Sequence, residues 1–503
     1  MSKPGLFATI PVADLEADAA HAALNRSLGP VALTALGIGG IIGTGIFVLT
    51  GIAAAEHAGP AVVLSFIVAG LGCIFAGLCY AEFASMVPVA GSAYAYSYAT
   101  LGEFTAWFVG WNLVLEYLFA AATVAVGWSR YCVSLLNYFH INFVPGVLSA
   151  SPWKVAADGV TVLKSGAMLN VPAIFVALLV TWICYIGIRQ SAFVNTLVVI
   201  VKVAIVLVVI GFGAFYVDPA NWHPFIPPNT GTFGVFGWSG VLRAAGVVFF
   251  AYIGFDAVST TAQEAKNPRR DMPIGLLVPL GICTVLYIMV SALLTHLVPY
   301  SQLNVPDPVV QGIRATGQQW ATFLVEIGAL AGLASVMLVM LLGQSRVFYS
   351  MSRDRLLWPW AARIHPRFRT PYISSIVVGL IVAVLAMLVP LDVLDEMTSV
   401  GTLLAFALVS AGVLVMRKTH PELNRPFKTP FVPVIPILSI IFSAGVIVSL
   451  APATQIRLVV WLLLGLLIYF NYGRKHSKVQ FSLMNANSTS AQHGSSGETG
   501  YVE

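Results

Sequence analysis

Charge is what this chain has least of. Asp, Glu, Lys and Arg make up 9% of 503 residues, where a soluble domain carries about 25%. Hydrophobic residues reach 58%, and the mean hydropathy is +0.87. No soluble fold could solvate such a surface, so the composition defines an integral membrane protein. Cysteine is scarce too. Cys73, Cys79, Cys132, Cys184 and Cys283 all fall in apolar runs without a CxxC, which makes them small core residues. The chain has no HExxH, no His pair at metal spacing, no Cys/His cluster and no GxSxG. A membrane-embedded enzyme is therefore not expected, and neither a metal nor a cofactor is implied. Residues 1–29 include Asp14, Glu16 and Asp18 and lack the compact apolar core of a cleavable leader. The net charge of +5 is small; nucleic acid is not implied, and the placement of the charges matters more than their sum.

What the chain does have is long apolar runs. A span needs about 20 mostly apolar residues. Twelve candidates lie at about 31–55, 60–86, 104–136, 171–189, 193–217, 240–264, 274–298, 320–350, 372–390, 393–416, 433–451 and 456–473. Threading them with the N-terminus inside puts most cations on the inner side, among them Lys3, Arg26, Arg189, Arg269, Arg270, Arg353, Arg369, Arg417 and Lys418. Outer segments hold only Lys154, Lys164, Arg314 and Arg457, with Arg130 and Arg243 near outer helix ends. This positive-inside bias places both termini in the cytoplasm. Residues 1–29 form a cytoplasmic segment, in which ADLEADAAHAALNRSLGP has the composition of a short surface helix. The polar tail, 474–503, reads as disordered. Its Asn487-Ser488-Thr489 sequon falls on the cytoplasmic side of this topology and is discounted.

Two spans are irregular. The first contains GIGGIIGTGIFVLTG, with Gly37, Gly39, Gly40, Gly43 and Gly45 within nine residues. Each glycine costs about 0.8–1 kcal/mol against alanine in a helix interior. The sixth contains FFAYIGFDAVSTTAQE, with Gly254 two residues before Asp256. Five spans separate the two, so the copies run in opposite directions. That pattern points to an inverted repeat of about 31–217 against about 240–416, with spans 433–473 as additions and a site between the breaks. Lipid satisfies no free N–H or C=O, so unwound backbone survives only in protein or beside a cavity. A half-helix start offers N–H groups to an anion. The freed carbonyls suit a cation, and a zwitterion matches both. Close helix packing through Gly39 and Gly43 accounts equally well for the first span taken alone.

Few ionisable residues sit deep in spans: Lys202, Glu116 and Asp256, with Glu82 and Glu326 less deep. A charge at the bilayer centre costs at least ~2.5–3.5 kcal/mol, so it faces a cavity or a partner. Lys202 and Glu116 lie about ten residues, or ~15 Å at helical rise, from the inner starts of their spans. Asp256 and Gly43 fall near the same depth. An ammonium beside a cavity can load and release a proton, and its charged form stands in for a metal cation. A permanently paired lysine and a snorkelling one are the alternatives. Glu116 and Asp256 are candidate gates or partners of a substrate amine; Glu82 and Glu326 read as structural or vestibule residues.

At these residues the sequence resembles the amino acid–polyamine–organocation superfamily, in particular the bacterial relatives of the cationic amino acid transporters. The resemblance rests on six collinear stretches: LGIGGIIGTGIFVLTG, AEFASMVPVAGSAYAYSYATLGE, WNLVLEYLFAAATVAVGWS, FFAYIGFDAVSTTAQEAKNPRRDMPIGL, GQSRVFYSMSRDRLLW and RPFKTPFVPVIPILSI. It implies an all-α membrane fold of the LeuT type, a five-plus-five inverted repeat with twelve transmembrane helices. It implies alternating access in a cell membrane, plasma or inner. The substrate carboxylate would meet N–H groups at Gly43, Thr44 and Gly45. The amine would meet the carbonyls of Ile41, Phe250, Ala251 and Ile253. Lys202 would take the place of a sodium ion and reach carbonyls near Gly39 and Ile42, which implies an L-amino acid and a proton as joint cargo. Glu116 and Asp256 would stand near the pocket and its gate, and Met337 or Met340 would line the side-chain pocket. The branch that carries basic substrates tends to have a small polar residue near Met340, so methionine favours neutral or small ones. An amino acid exchanger and a non-transporting amino acid sensor use the same features. Exact substrate, oligomeric state and any accessory subunit are left open.

Overall fold

Apolar side chains and a lipid solvent leave the backbone one local solution, the helix, in which each segment satisfies its own N–H and C=O groups. The computed structural model follows that rule. It describes residues 5–6, 8–9, 28–86, 91–141, 145–155, 161–187, 191–368 and 370–481. The expected surface helix before Gly29, the cations Lys3, Arg26, Arg189 and Arg369, and the sequon lie outside the described residues.

The main helices are α1 (Pro30–Ile41), α2 (Val62–Met86), α3 (Ser92–Thr100), α4 (Glu103–Tyr138), α5 (Val171–Ile186), α6 (Ser191–Gly213) and α7 (Gly237–Val248). They continue as α8 (Pro268–Leu297), α9 (Pro308–Arg314), α10 (Gln319–Arg353), α11 (Tyr372–Leu388), α12 (Leu391–Thr419), α13 (Val434–Ser449) and α14 (Pro452–Ile468). Proline opens α1, α8, α9 and α14, where its missing N–H has no intrahelical partner to lose. A short antiparallel hairpin, β1 (Trp153–Val155) with β2 (Val162–Lys164), interrupts the connection between α4 and α5.

Among the described residues, eight helical stretches are long and apolar enough to cross a membrane. The first, Pro30–Met86, takes in two of the expected spans, and three shorter apolar helices (α5, α11, α13) coincide with others. Burial separates centre from rim. The most apolar windows of α4 and of Gly237–Glu264 are 89% buried, whereas that of Pro452–Phe481 is 22% buried. Side chains such as Leu463, Leu467 and Val459 on α14 are exposed, as befits a lipid-facing helix.

The two ends of the chain meet on one face, called here the terminal face. Gly5 accepts from the Gln480 amide at 2.8 Å, and the Glu103 and Phe104 N–H groups donate to Ala8 and Leu6 at 2.9 Å each. Residues 474–481, expected to open a disordered tail, differ from that reading. Arg474–His476 is helical, and the Ser477 hydroxyl donates to the buried Glu103 carboxylate. That carboxylate also receives Tyr98 and Tyr469, and a buried acceptor with three donors fixes the segment that supplies one of them.

Glu82 and Glu326 are anchors. Arg417 grips Glu82 at 2.7 and 3.0 Å, and the Thr429 N–H adds a third bond at 2.8 Å, pinning the loop after α12 to α2. Glu326 receives Ser134 at 2.9 Å and Arg314 at 3.1 Å on the opposite face.

Candidate functional site

The glycine run is where the first helix stops. α1 ends at Ile41, Ile42 is extended (φ −72°, ψ 99°), and a π-helical turn begins at Gly45. No backbone carbonyl accepts from the N–H of Gly43, Thr44 or Gly45 across the break. These are the unpaired donors that any restarting helix presents. The second interruption lies after α7. Phe249–Tyr252 tightens to a 3-10 turn, Ile253 is extended, and Gly254 adopts φ +114°. Only glycine takes that angle without strain. Asp256–Glu264 then continues as 3-10 helix.

The two interrupted helices run antiparallel. Leu28, just before α1, exchanges backbone bonds with Glu264 and Lys266 beyond the second break, at 3.0 and 2.8 Å. At the far end Phe236 donates to His57 at 2.8 Å. Between these ties the breaks touch. A Cβ on Gly45 would lie 2.2 Å from the Ala251 Cα, and one on Gly254 would lie 2.6 Å from the Gly40 carbonyl oxygen. Gly37 answers a different need: a Cβ there would meet Pro279 of α8 at 2.5 Å. So the run serves both packing and the break, at different positions.

A small cavity of about 10 Å³ sits at the crossing, lined by Gly40, Ile41, Gly43, Thr44, Ala120, Val124, Phe250, Ile253, Val336 and Met340. Both interrupted helices, α4 and α10 contribute. Its side-chain walls are apolar except for Thr44, whose buried hydroxyl has no partner. A Cβ on Gly127 of α4 would lie 2.8 Å from that hydroxyl, so glycine there leaves room for it.

Lys202 of α6 is 1% exposed. Its ammonium donates to the carbonyls of Gly39 (2.8 Å) and Ile42 (3.0 Å) and to the Ser335 hydroxyl (3.2 Å). It thus lies against the break, on carbonyls that lose helical partners there, and does not reach toward a membrane surface.

Three of the four carbonyls expected to face an amine are already engaged. The Tyr287 hydroxyl of α8 lies 2.8 Å from both the Ile41 and the Ala251 oxygens, and the Ile253 N–H donates to Phe250 at 3.1 Å. A hydroxyl carries one proton, so Tyr287 serves one of its two carbonyls at a time. Sequence reasoning missed Tyr287. The signal was a single tyrosine in LGICTVLYIMV, which resembles an ordinary aromatic in a span.

The remaining expected residues divide. Met340 lines the cavity and stands over Gly254, while Met337 is fully buried in packing away from it. Glu116 and Asp256 are also fully buried and do not line the cavity. The Tyr117 hydroxyl donates to Asp256 at 2.6 Å.

These features define a class: a multi-pass helical membrane protein whose small central cavity is built on the backbone of two antiparallel interrupted helices. The chain matches the amino acid permease family over residues 28–470 and belongs to it, within the amino acid–polyamine–organocation superfamily. It is 46% identical to the branched-chain amino acid permease BcaP of Bacillus subtilis over 95% of this chain and 99% of that one. It is 44% identical to the methylthioribose transporter of the same organism, over 94% and 98%. Against the mouse cationic amino acid transporter 4 it is 36% identical over 80% of this chain and 61% of the relative. The relatives are named permeases and transporters, not enzymes, and the chain is a membrane amino acid permease on that footing.

Proposed function

We propose that the protein imports a neutral L-amino acid with an apolar, branched side chain, together with a proton, by alternating access. The observation that carries the reading is the Lys202 ammonium on the Gly39 and Ile42 carbonyls. A cation is held at the first break by carbonyls that could equally hold a metal ion, and this cation can lose its charge by losing a proton. The substrate carboxylate takes the N–H groups of Gly43, Thr44 and Gly45, and the ammonium takes the carbonyls of Ile41, Phe250, Ala251 and Ile253. Tyr287 must then yield a carbonyl as the amine arrives.

The side-chain class follows from the cavity wall. Ala120, Val124, Val336 and Met340 offer methyl and thioether surface and no charge, so a basic or acidic side chain would be desolvated without a partner. BcaP is named for branched-chain amino acids, and the wall suits the same class. The twelve-span count follows if Pro30–Met86 contains two spans and α5, α11 and α13 each cross the membrane with their flanking residues. With the terminal face in the cytoplasm, the charge bias of the loops obeys the positive-inside rule.

The test is leucine uptake into proteoliposomes under an imposed pH gradient. Accumulation that rises with an inward proton gradient supports symport. Uptake indifferent to the gradient, yet dependent on amino acid preloaded inside, would replace the reading with exchange. Ligand-dependent thermal stabilisation without any flux would replace it with sensing.

A further inference from the structure

Along the elements that line the cavity, buried polar side chains follow the apolar lining residues within one turn of chain. Three lining residues, Ala120, Ile253 and Met340, come from three different elements. Four residues before Ala120 on α4 is Glu116. Three after Ile253 is Asp256. Four after Met340 on α10 is Gln344. For Glu116 and Gln344 the step of four along a helix is about one turn, or ~6 Å, on the same face, whereas Asp256 follows Ile253 across the break at Gly254. All three steps lead toward the terminal face, because α4 starts there at Glu103, α10 ends there at Arg353, and the second interrupted helix ends there at Glu264.

All three polar residues are fully buried. Neither carboxylate oxygen of Glu116, nor Asp256 Oδ1, nor either amide atom of Gln344 makes a hydrogen bond of normal geometry. Thr402 lies beside Glu116, but its hydroxyl is donated to the Thr398 carbonyl. Buried polar groups are nearly always partnered. The backbone N–H groups of Gly254, Ala257 and Asp256 itself lie close to the Asp256 carboxylate, so the unmet capacity is greatest at Glu116 and Gln344, whose four side-chain polar atoms have no partner of normal geometry.

We propose that Gln344, Glu116 and Asp256 form a release station, a second and transient seat that the amino acid occupies after leaving the cavity. The carboxylates accept from the departing ammonium, and the Gln344 amide N–H donates to the departing carboxylate. The seat replaces main-chain contacts with side-chain ones, so the zwitterion moves down without being stripped of partners at either charged end. Ala120, Ile253 and Met340 separate the two seats, and their parting is the opening toward the terminal face. The inference rests on the amino acid transport reading and adds Gln344, which neither the glycine runs nor the charges single out.

The test uses the full chain in sealed vesicles of known orientation. In a background with the five native cysteines replaced, Gln344→Cys is probed with a membrane-impermeant maleimide from each side. The proposal expects labelling from the terminal face only, with a rate altered by saturating leucine. Labelling from the opposite face, or from neither side in protein that transports, overturns it. In parallel, Gln344→Leu is expected to keep leucine affinity within about threefold while turnover falls at least tenfold, and Gln344→Asn recovers part of the loss. A Gln344→Leu protein with wild-type turnover overturns the proposal. So does one whose affinity, turnover and thermal stability fall together, because that marks a structural amide. Labelling does not depend on flux, so a wild-type protein that moves no amino acid sinks the transport reading without deciding the accessibility of position 344.

Discussion

Gly45→Ala tests whether the site depends on backbone meeting backbone. The added Cβ would lie 2.2 Å from the Ala251 Cα, 2.3 Å from its Cβ and 2.8 Å from its N. Carbon atoms sit best at about 3.5–4.0 Å, so more than 1 Å must be found. No flexible side chain can supply it, because everything in the way is backbone or a methyl group. The two interrupted segments have to splay. Overpacking of this kind costs about 1–3 kcal/mol. If it falls on the substrate-bound geometry, affinity drops by roughly five- to 150-fold at 1.4 kcal/mol per decade. Leucine binding to purified protein, with a thermal unfolding curve for each variant, reads both effects. Gly246→Ala is the control, since its Cβ would meet nothing closer than Val446 at 3.4 Å. A Gly45→Ala protein with wild-type affinity and stability would refute the account of the glycine run.

Two further substitutions probe the surroundings. Tyr287→Phe keeps the ring but leaves the Ile41 and Ala251 carbonyls without their donor; a buried acceptor so orphaned costs about 1–3 kcal/mol, read as a lowered melting temperature that saturating leucine partly restores. Val336→Ala removes the methyls closest to Gly43 and should move preference from leucine toward phenylalanine by about 1–3 kcal/mol, or at least fivefold in the ratio of inhibition constants; an unchanged ratio would remove Val336 from the side-chain wall.

How much of this was legible in the sequence depends on the range of each interaction. The breaks were legible because glycines and a charged residue in an apolar run are local signals, read without knowing any partner. Lys202 was legible for the same reason, and its depth matched the first break. The carbonyls it meets, at Gly39 and Ile42, came from the family resemblance and not from spacing. Tyr287 was not legible. Its two acceptors are 246 and 36 residues away in sequence, and nothing in its own neighbourhood marks it. The same limit hid the contact of Gly45 with Ala251, which is set by how the interrupted helices cross. The segment 474–481 was misread because polar composition predicts disorder only where no buried acceptor waits for it, and Glu103 is such an acceptor.

The central claim is that the cation at the first break is what ties amino acid movement to the proton. Its most direct test is a paired measurement on Lys202→Ala in proteoliposomes: leucine accumulation driven by an imposed pH gradient, and leucine–leucine counterflow without one. The account predicts that gradient-driven accumulation is lost while counterflow persists. Accumulation that still follows the proton gradient in Lys202→Ala would contradict it.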